Sequence, residues 1–178
     1  MAFEFYNTTP KVWIERPELG TYAASVSQIW ALIEQSLSRI FITLSGSNLA
    51  LWAAFVTVIP IRNRLNMIQK LVDRFLDDAD RKRYNDLAAR VERIGRRRND
   101  VVHGLWSIKK DQPDVAFLHI PYPRTQEEAE PVAYGKDKFK RLILDLEALR
   151  ANVGKFRSHL SDLAKAEPFP RSFLIVNE

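Results

Sequence analysis

Apolar residues in this 178-residue chain recur at alternating spacings of three and four over four separate stretches. That period limits the fold to packed amphipathic helices more tightly than any other feature. Val26, Trp30, Ile33, Leu37, Ile40 and Leu44 share one stripe of a helix running from about Thr21 to Leu44. Ile61, Leu65, Ile68, Val72 and Phe75 form a second stripe, and Asp77-Asp78 behind it reads as a cap for the next helix. Tyr84, Leu87, Val91, Ile94 and Val101 place that helix from about Asp80 to His103, with Gly104 where a C-terminal cap belongs. Phe139, Leu142, Leu144, Leu146, Leu149, Val153, Phe156 and Leu160 predict a long helix from about Asp137 to Ala164.

The remaining segments fill in the topology. About Asn48 to Ile59 is apolar almost all round and is expected to be the most buried helix. Trp30, Trp52 and Trp106 are read as core. After Gly104 the period changes to alternation: Leu105 to Lys110 and Val115 to Ile120, joined by Asp111-Gln112-Pro113-Asp114, predict a hairpin. The first twenty residues read as an irregular lead-in, Pro121 to Gly135 as a loop, and Pro168 to Glu178 as a tail carrying Phe173-Leu174-Ile175-Val176. The expected fold is all-α: an antiparallel helical bundle of about five helices with a short β-hairpin insertion before the last long helix. One domain is expected over 1–178, with its core at about 21–164.

Composition removes several function classes. With no cysteine there is no disulfide framework, thiolate nucleophile or cysteine-bound metal, and a reducing, cytoplasmic location is the expectation. His103, His119 and His159 lack metal-ligand spacing, and the latter two show no companion groups in the sequence, so no metal is expected. The six glycines form neither a Walker nor a dinucleotide pattern, which argues against ATP hydrolysis and hydride transfer, and no cofactor is expected. Twenty-two uncharged residues separate Arg39 from Arg62, but Ser45-Gly46-Ser47-Asn48 stops one helix and starts the next, so no membrane span is expected. Met1 to Pro10 lacks a basic region followed by an apolar one, so no secretory signal is read there. A net charge of +5 makes phosphate-bearing partners plausible.

The chemistry concentrates at the end of the helix that closes on His103. Arg96, Arg97, Arg98, Asn99, Asp100 and His103 lie within eight residues, and Asn99 and His103, four apart, are neighbours on one face. Arg98 continues the apolar stripe of residues 84, 87, 91 and 94, so its charge must be paired or face a cleft or a subunit boundary. An arginine followed five to seven positions later by a histidine arises by chance roughly once in such a chain; requiring Asn, Asp or His directly after it lowers this to roughly 0.1. Arg98-Asn99-x-x-x-His103, ending a helix before Gly104, resembles the Arg, polar residue, then His signature of the HEPN superfamily (higher eukaryotes and prokaryotes nucleotide-binding domains).

The resemblance implies a metal-independent endoribonuclease, in many members a toxin or defence effector, with a composite site where two protomers' motifs meet. It would make Arg98 and His103 the catalytic pair, Asn99 their polar companion, and RNA the substrate, with Arg96 and Arg97 contacting phosphates. The chemistry is self-consistent. The RNA 2′-hydroxyl serves as internal nucleophile, an imidazole, whose ordinary pKa is about 6.5, moves protons, and a guanidinium forks onto two phosphate oxygens. One imidazole cannot readily be acid and base in a single step, whereas two copies in a homodimer can. Two other classes stay open on the sequence alone. One is a non-catalytic HEPN binding module or antitoxin-like partner of a nucleotidyltransferase; the other is a structural helical dimer cemented by the motif. Motifs of two chains facing one another across a basic, solvent-reachable cleft favour the nuclease, and full burial of Arg98 and His103 in ion pairs favours the structural role.

Overall fold

The computed structural model describes residues 9–58, 60–109, 111–112, 114–120, 130–167 and 169. Among them are six helices: α1 (Thr9–Glu15), α2 (Pro17–Leu44), α3 (Leu49–Thr57), α4 (Ile61–Phe75), α5 (Asp78–His103) and α6 (Lys136–Ala166). Three strands, β1 (Leu105–Ile108), β2 (Ala116–His119) and β3 (Val132–Tyr134), complete the described elements. The protein is therefore mainly α-helical with a small antiparallel sheet. No helix of the described residues is long and apolar enough to cross a membrane. The chain forms two compact units, one of residues 1–30 with 94–147 and the other of 31–93 with 148–178.

In the first unit the sheet order is β1-β2-β3, with Leu105 opposite His119 and Ala116 opposite Tyr134. The hairpin forms where the change of period places it, although burial along its strands does not alternate: Trp106, Ser107 and Ile108 are all buried, as are Ala116, Phe117 and Leu118. β3 lies in the segment expected to be loop, because three residues are too few to show a period. Trp106 organises this core. Its ring lies 5.0 Å from Trp13, 5.4 Å from Tyr134 and 5.7 Å from Phe139, and its Nε1 donates to the Val101 carbonyl at 3.0 Å. Trp13 belongs to α1, so the expected irregular lead-in is corrected to a helix over Thr9–Glu15. Seven residues are too few to hold a helix by propensity; the fully buried Val12 and the ring of Trp13 against Trp106 anchor it. α2 accordingly starts earlier than Thr21, with Pro17 at its first position, where its fixed φ and missing N–H are no burden.

In the second unit, Ile33, Leu37, Ile40 and Leu44 of α2 are buried, as are Leu65, Ile68, Leu71 and Val72 of α4. Tyr84 is fully enclosed, and its hydroxyl donates to the Leu65 carbonyl at 2.8 Å. Burial pushes that phenol far above its usual range. Asp80 meets His159 and Tyr84 meets Phe156, so α5 and α6 run in opposite directions here. Asp77 caps α5 as expected, its Oδ1 accepting the Asp80 N–H at 2.8 Å.

α3 departs from expectation. Of its residues only Phe55 is buried, stacked on Phe41 at 4.3 Å between centroids, while Leu49 is 73% exposed and Trp52 half-buried. A helix apolar on every side carries no information about which side packs, so composition overstated its burial. The turn before it forms as expected, with Gly46 at φ 67° and Ser47 at φ 62°, and Asn48 caps α3 by accepting from the Leu51 N–H at 3.1 Å. Of the C-terminal tail only Phe169 lies within the described residues, 6.1 Å from the Phe75 ring; Phe173 to Val176 lie outside them.

Gly154 sits inside α6 with nothing within 4 Å of where a Cβ would stand. Nothing in that surrounding requires glycine, and helix-interior glycine costs backbone entropy. Gly154→Ala should stabilise the protein by about 0.5–1 kcal/mol, seen as a Tm rise of about 1–4 °C in thermal unfolding.

Candidate functional site

The last two turns of α5 carry the motif, and the fold of the first unit fixes them in place. Ile94 and Val101 are buried anchors, and the Val101 carbonyl also accepts from Trp106. Between them Gly95 lets the Trp30 indole come so close that a Cβ there would stand 2.8 Å from Cη2. Past the helix end, Gly104 has the same use rather than that of a left-handed cap. It lies outside the positive-φ residues, and its N–H bonds the Asp100 carbonyl at 2.9 Å. A Cβ at Gly104 would collide with Leu118 Cδ1 and with that same carbonyl oxygen.

Arg98 resolves the conflict it posed on the apolar stripe. It is half-buried, with its guanidinium carbon 5.8 Å from the Trp30 ring centroid, so the aromatic face takes the planar cation where an aliphatic side chain was expected. Its Nη1 donates to Asn99 Oδ1 at 3.0 Å. Asn99 and His103 are both exposed, and their spacing of four puts the imidazole one turn from the carboxamide. The structure therefore ties Arg98 to Asn99 directly and leaves His103 in the last turn of α5.

The two flanking arginines divide. Arg97 is half-buried and its Nη1 is held by Asp145 Oδ2 on α6, whereas Arg96 is exposed and makes no ion pair among the described residues. Lys138 adds a further cation near Arg97. Burial, and secondarily the Arg97 charge, hold its ammonium below the usual lysine range, while its Nζ lies 4.4 Å from the Tyr134 ring centroid. Burial raises the Tyr134 phenol, with Arg97 opposing and Asp100 adding to that shift. The α5 terminus and the start of α6 thus bring cations together in the first unit.

Both histidines that lacked companions in the sequence acquire them through the fold. His119 Nε2 lies 2.7 Å from Ser107 Oγ across β1 and β2. Burial lowers the His119 imidazole below its usual range, which favours the neutral ring. With Ser107 only 5% exposed, its hydroxyl is too enclosed to attack a substrate, and the pair ties the two strands. His159 Nε2 lies 2.7 Å from Asp80 Oδ2. The two residues are 79 apart in sequence, and no local pattern signals their pairing. The chain matches no family model, no curated protein and no solved structure.

Proposed function

We propose that this chain is a metal-independent endoribonuclease of the HEPN type. In this reading it is built as an antiparallel helical bundle, works as a homodimer in the cytoplasm, and acts on RNA as a toxin or defence effector. The observation that carries the reading is the state of the motif: Arg98 is half-buried and linked to Asn99, while Asn99 and His103 are exposed.

The residues divide the work by their chemistry. Arg98 presents its fork to the non-bridging oxygens of the scissile phosphate, stabilising the charge that grows as the 2′-oxygen attacks phosphorus. Asn99 holds that fork through its Oδ1, and the Trp30 face supports the guanidinium from the side. His103 of one protomer takes the 2′-hydroxyl proton. The same residue of the second copy gives a proton to the departing 5′-oxygen, leaving a 2′,3′-cyclic phosphate and a 5′-hydroxyl. Arg96 and Lys138 supply flanking positive charge for neighbouring phosphates.

A composite site of this kind has a stoichiometric signature. If both imidazoles are needed at one site, heterodimers of wild type with His103→Ala are inactive, and activity follows the square of the wild-type fraction. In an equimolar, re-equilibrated mixture at constant total protein, activity should fall to about one quarter of the pure wild-type value. A fall to about one half would show that each protomer cleaves by itself.

A further inference from the structure

The second unit holds a cavity of about 550 Å³ that uses none of the motif residues. One wall comes from α5, where Arg83, Asp86, Leu87 and Arg90 stand at the i, i+3, i+4, i+7 spacing of a single helix face. The same spacing on α6 brings Asn152, Lys155, Phe156 and His159 to the opposite wall. Because α5 and α6 are antiparallel here, the two stripes face each other. Leu87 and Phe156 are buried and make an apolar floor, and the polar members form the rim.

The rim is organised by a buried carboxylate. Asp80, 6% exposed, accepts from Arg83 Nη1 at 3.2 Å and meets His159 Nε2 at 2.7 Å. Asp80 thus fixes the position of two rim side chains, Arg83 and His159. Arg90 and Lys155, by contrast, make no ion pair among the described residues, and neither does Asp86. Two uncommitted cations over an apolar floor suit a doubly charged anion with an apolar body. Asp86 and Asn152 beside them suit hydroxyl groups on that body.

We infer that this pocket binds a small, hydroxyl-bearing organic phosphate. Its phosphate would sit on Arg90 and Lys155, its hydroxyls on Asp86 and Asn152, and its apolar face on Leu87 and Phe156. The inference does not rest on the nuclease reading, because it involves neither Arg98, Asn99 nor His103. Isothermal titration calorimetry on the full chain tests it, with 5′-AMP, ribose 5-phosphate and adenosine as probes and no RNA present. The expected result is saturable binding of 5′-AMP, weaker binding of ribose 5-phosphate for want of contact with the floor, and still weaker binding of adenosine. Arg90→Gln with Lys155→Gln, both at the rim and away from the core, should weaken 5′-AMP binding by at least about tenfold. Absence of saturable 5′-AMP binding up to about 10 mM would overturn the inference, as would equal affinity for adenosine or undiminished binding by the double variant.

Discussion

His103→Ala should eliminate RNA cleavage while leaving the protein folded. The imidazole is exposed in the last turn of α5 and makes no hydrogen bond or ion pair among the described residues, so its removal takes little from the fold. A Tm within about 2 °C of wild type is expected. The expected catalytic loss is of another order, since a positioned acid or base contributes about 10²–10⁴-fold and the proposed dimeric site would lose both copies at once. Arg98→Lys separates charge from geometry. The ammonium keeps the positive charge but cannot fork onto two phosphate oxygens, and the guanidinium that lies over the Trp30 ring and donates to Asn99 is lost. A fall in kcat of about 10²-fold is expected. Single-turnover cleavage of a defined RNA, with circular dichroism melts of the same samples, checks both variants; near-wild-type rates in either would remove that residue from the chemistry.

The largest effect on stability is expected at the next position. In Gly104→Ala the new methyl group would overlap Leu118 Cδ1, on a side chain 1% exposed in β2, and the Asp100 carbonyl oxygen. Leu118 cannot swing away without disturbing the sheet, and the carbonyl is fixed by its bond to the Gly104 N–H. Overpacking against a backbone atom leaves no cheap relaxation, so the cost should reach about 3 kcal/mol or more. For a chain of this size that is a Tm drop of about 6–12 °C. The same substitution at Gly154, where the Cβ position is open, should do the reverse, and the pair measured side by side isolates the steric cause. Because Gly104 directly follows His103, a folded remnant of Gly104→Ala is also expected to lose activity through displacement of the helix end.

These two positions show where the sequence was informative. Helical periodicity located α2, α4, α5 and α6, because each buries a continuous stripe of large side chains. The end of the helical period and the turn residues after it located β1 and β2, and the order Arg98, Asn99, His103, Gly104 located the end of α5. α1 and β3 were illegible because they are short and held by tertiary contacts, Val12 and Trp13 in one case and pairing with β2 in the other. α3 was misjudged because uniform apolarity has no direction, and Trp52 with it. The reason for glycine at residue 104 was also mistaken: the approach of β2 sets it, not a left-handed turn.

The candidate site was legible for a different reason, that a charge interrupted a pattern. Arg98 stood out on an apolar stripe, although the answer to its placement, the face of Trp30, could not be read from spacing because 68 residues separate them. The pairing of His159 with Asp80 was hidden the same way. Each lies on an unremarkable helix face, and only the antiparallel packing of α5 on α6 joins them.

The central claim, that the Arg98, Asn99 and His103 cluster cleaves RNA without a metal, is tested most directly by incubating the purified protein with a mixed RNA pool in EDTA and identifying the new termini. The account predicts fragments ending in 2′,3′-cyclic phosphate with 5′-hydroxyl partners, formed by wild type and not by His103→Ala. An intact pool after wild-type treatment, or equal cleavage by the variant, would contradict it.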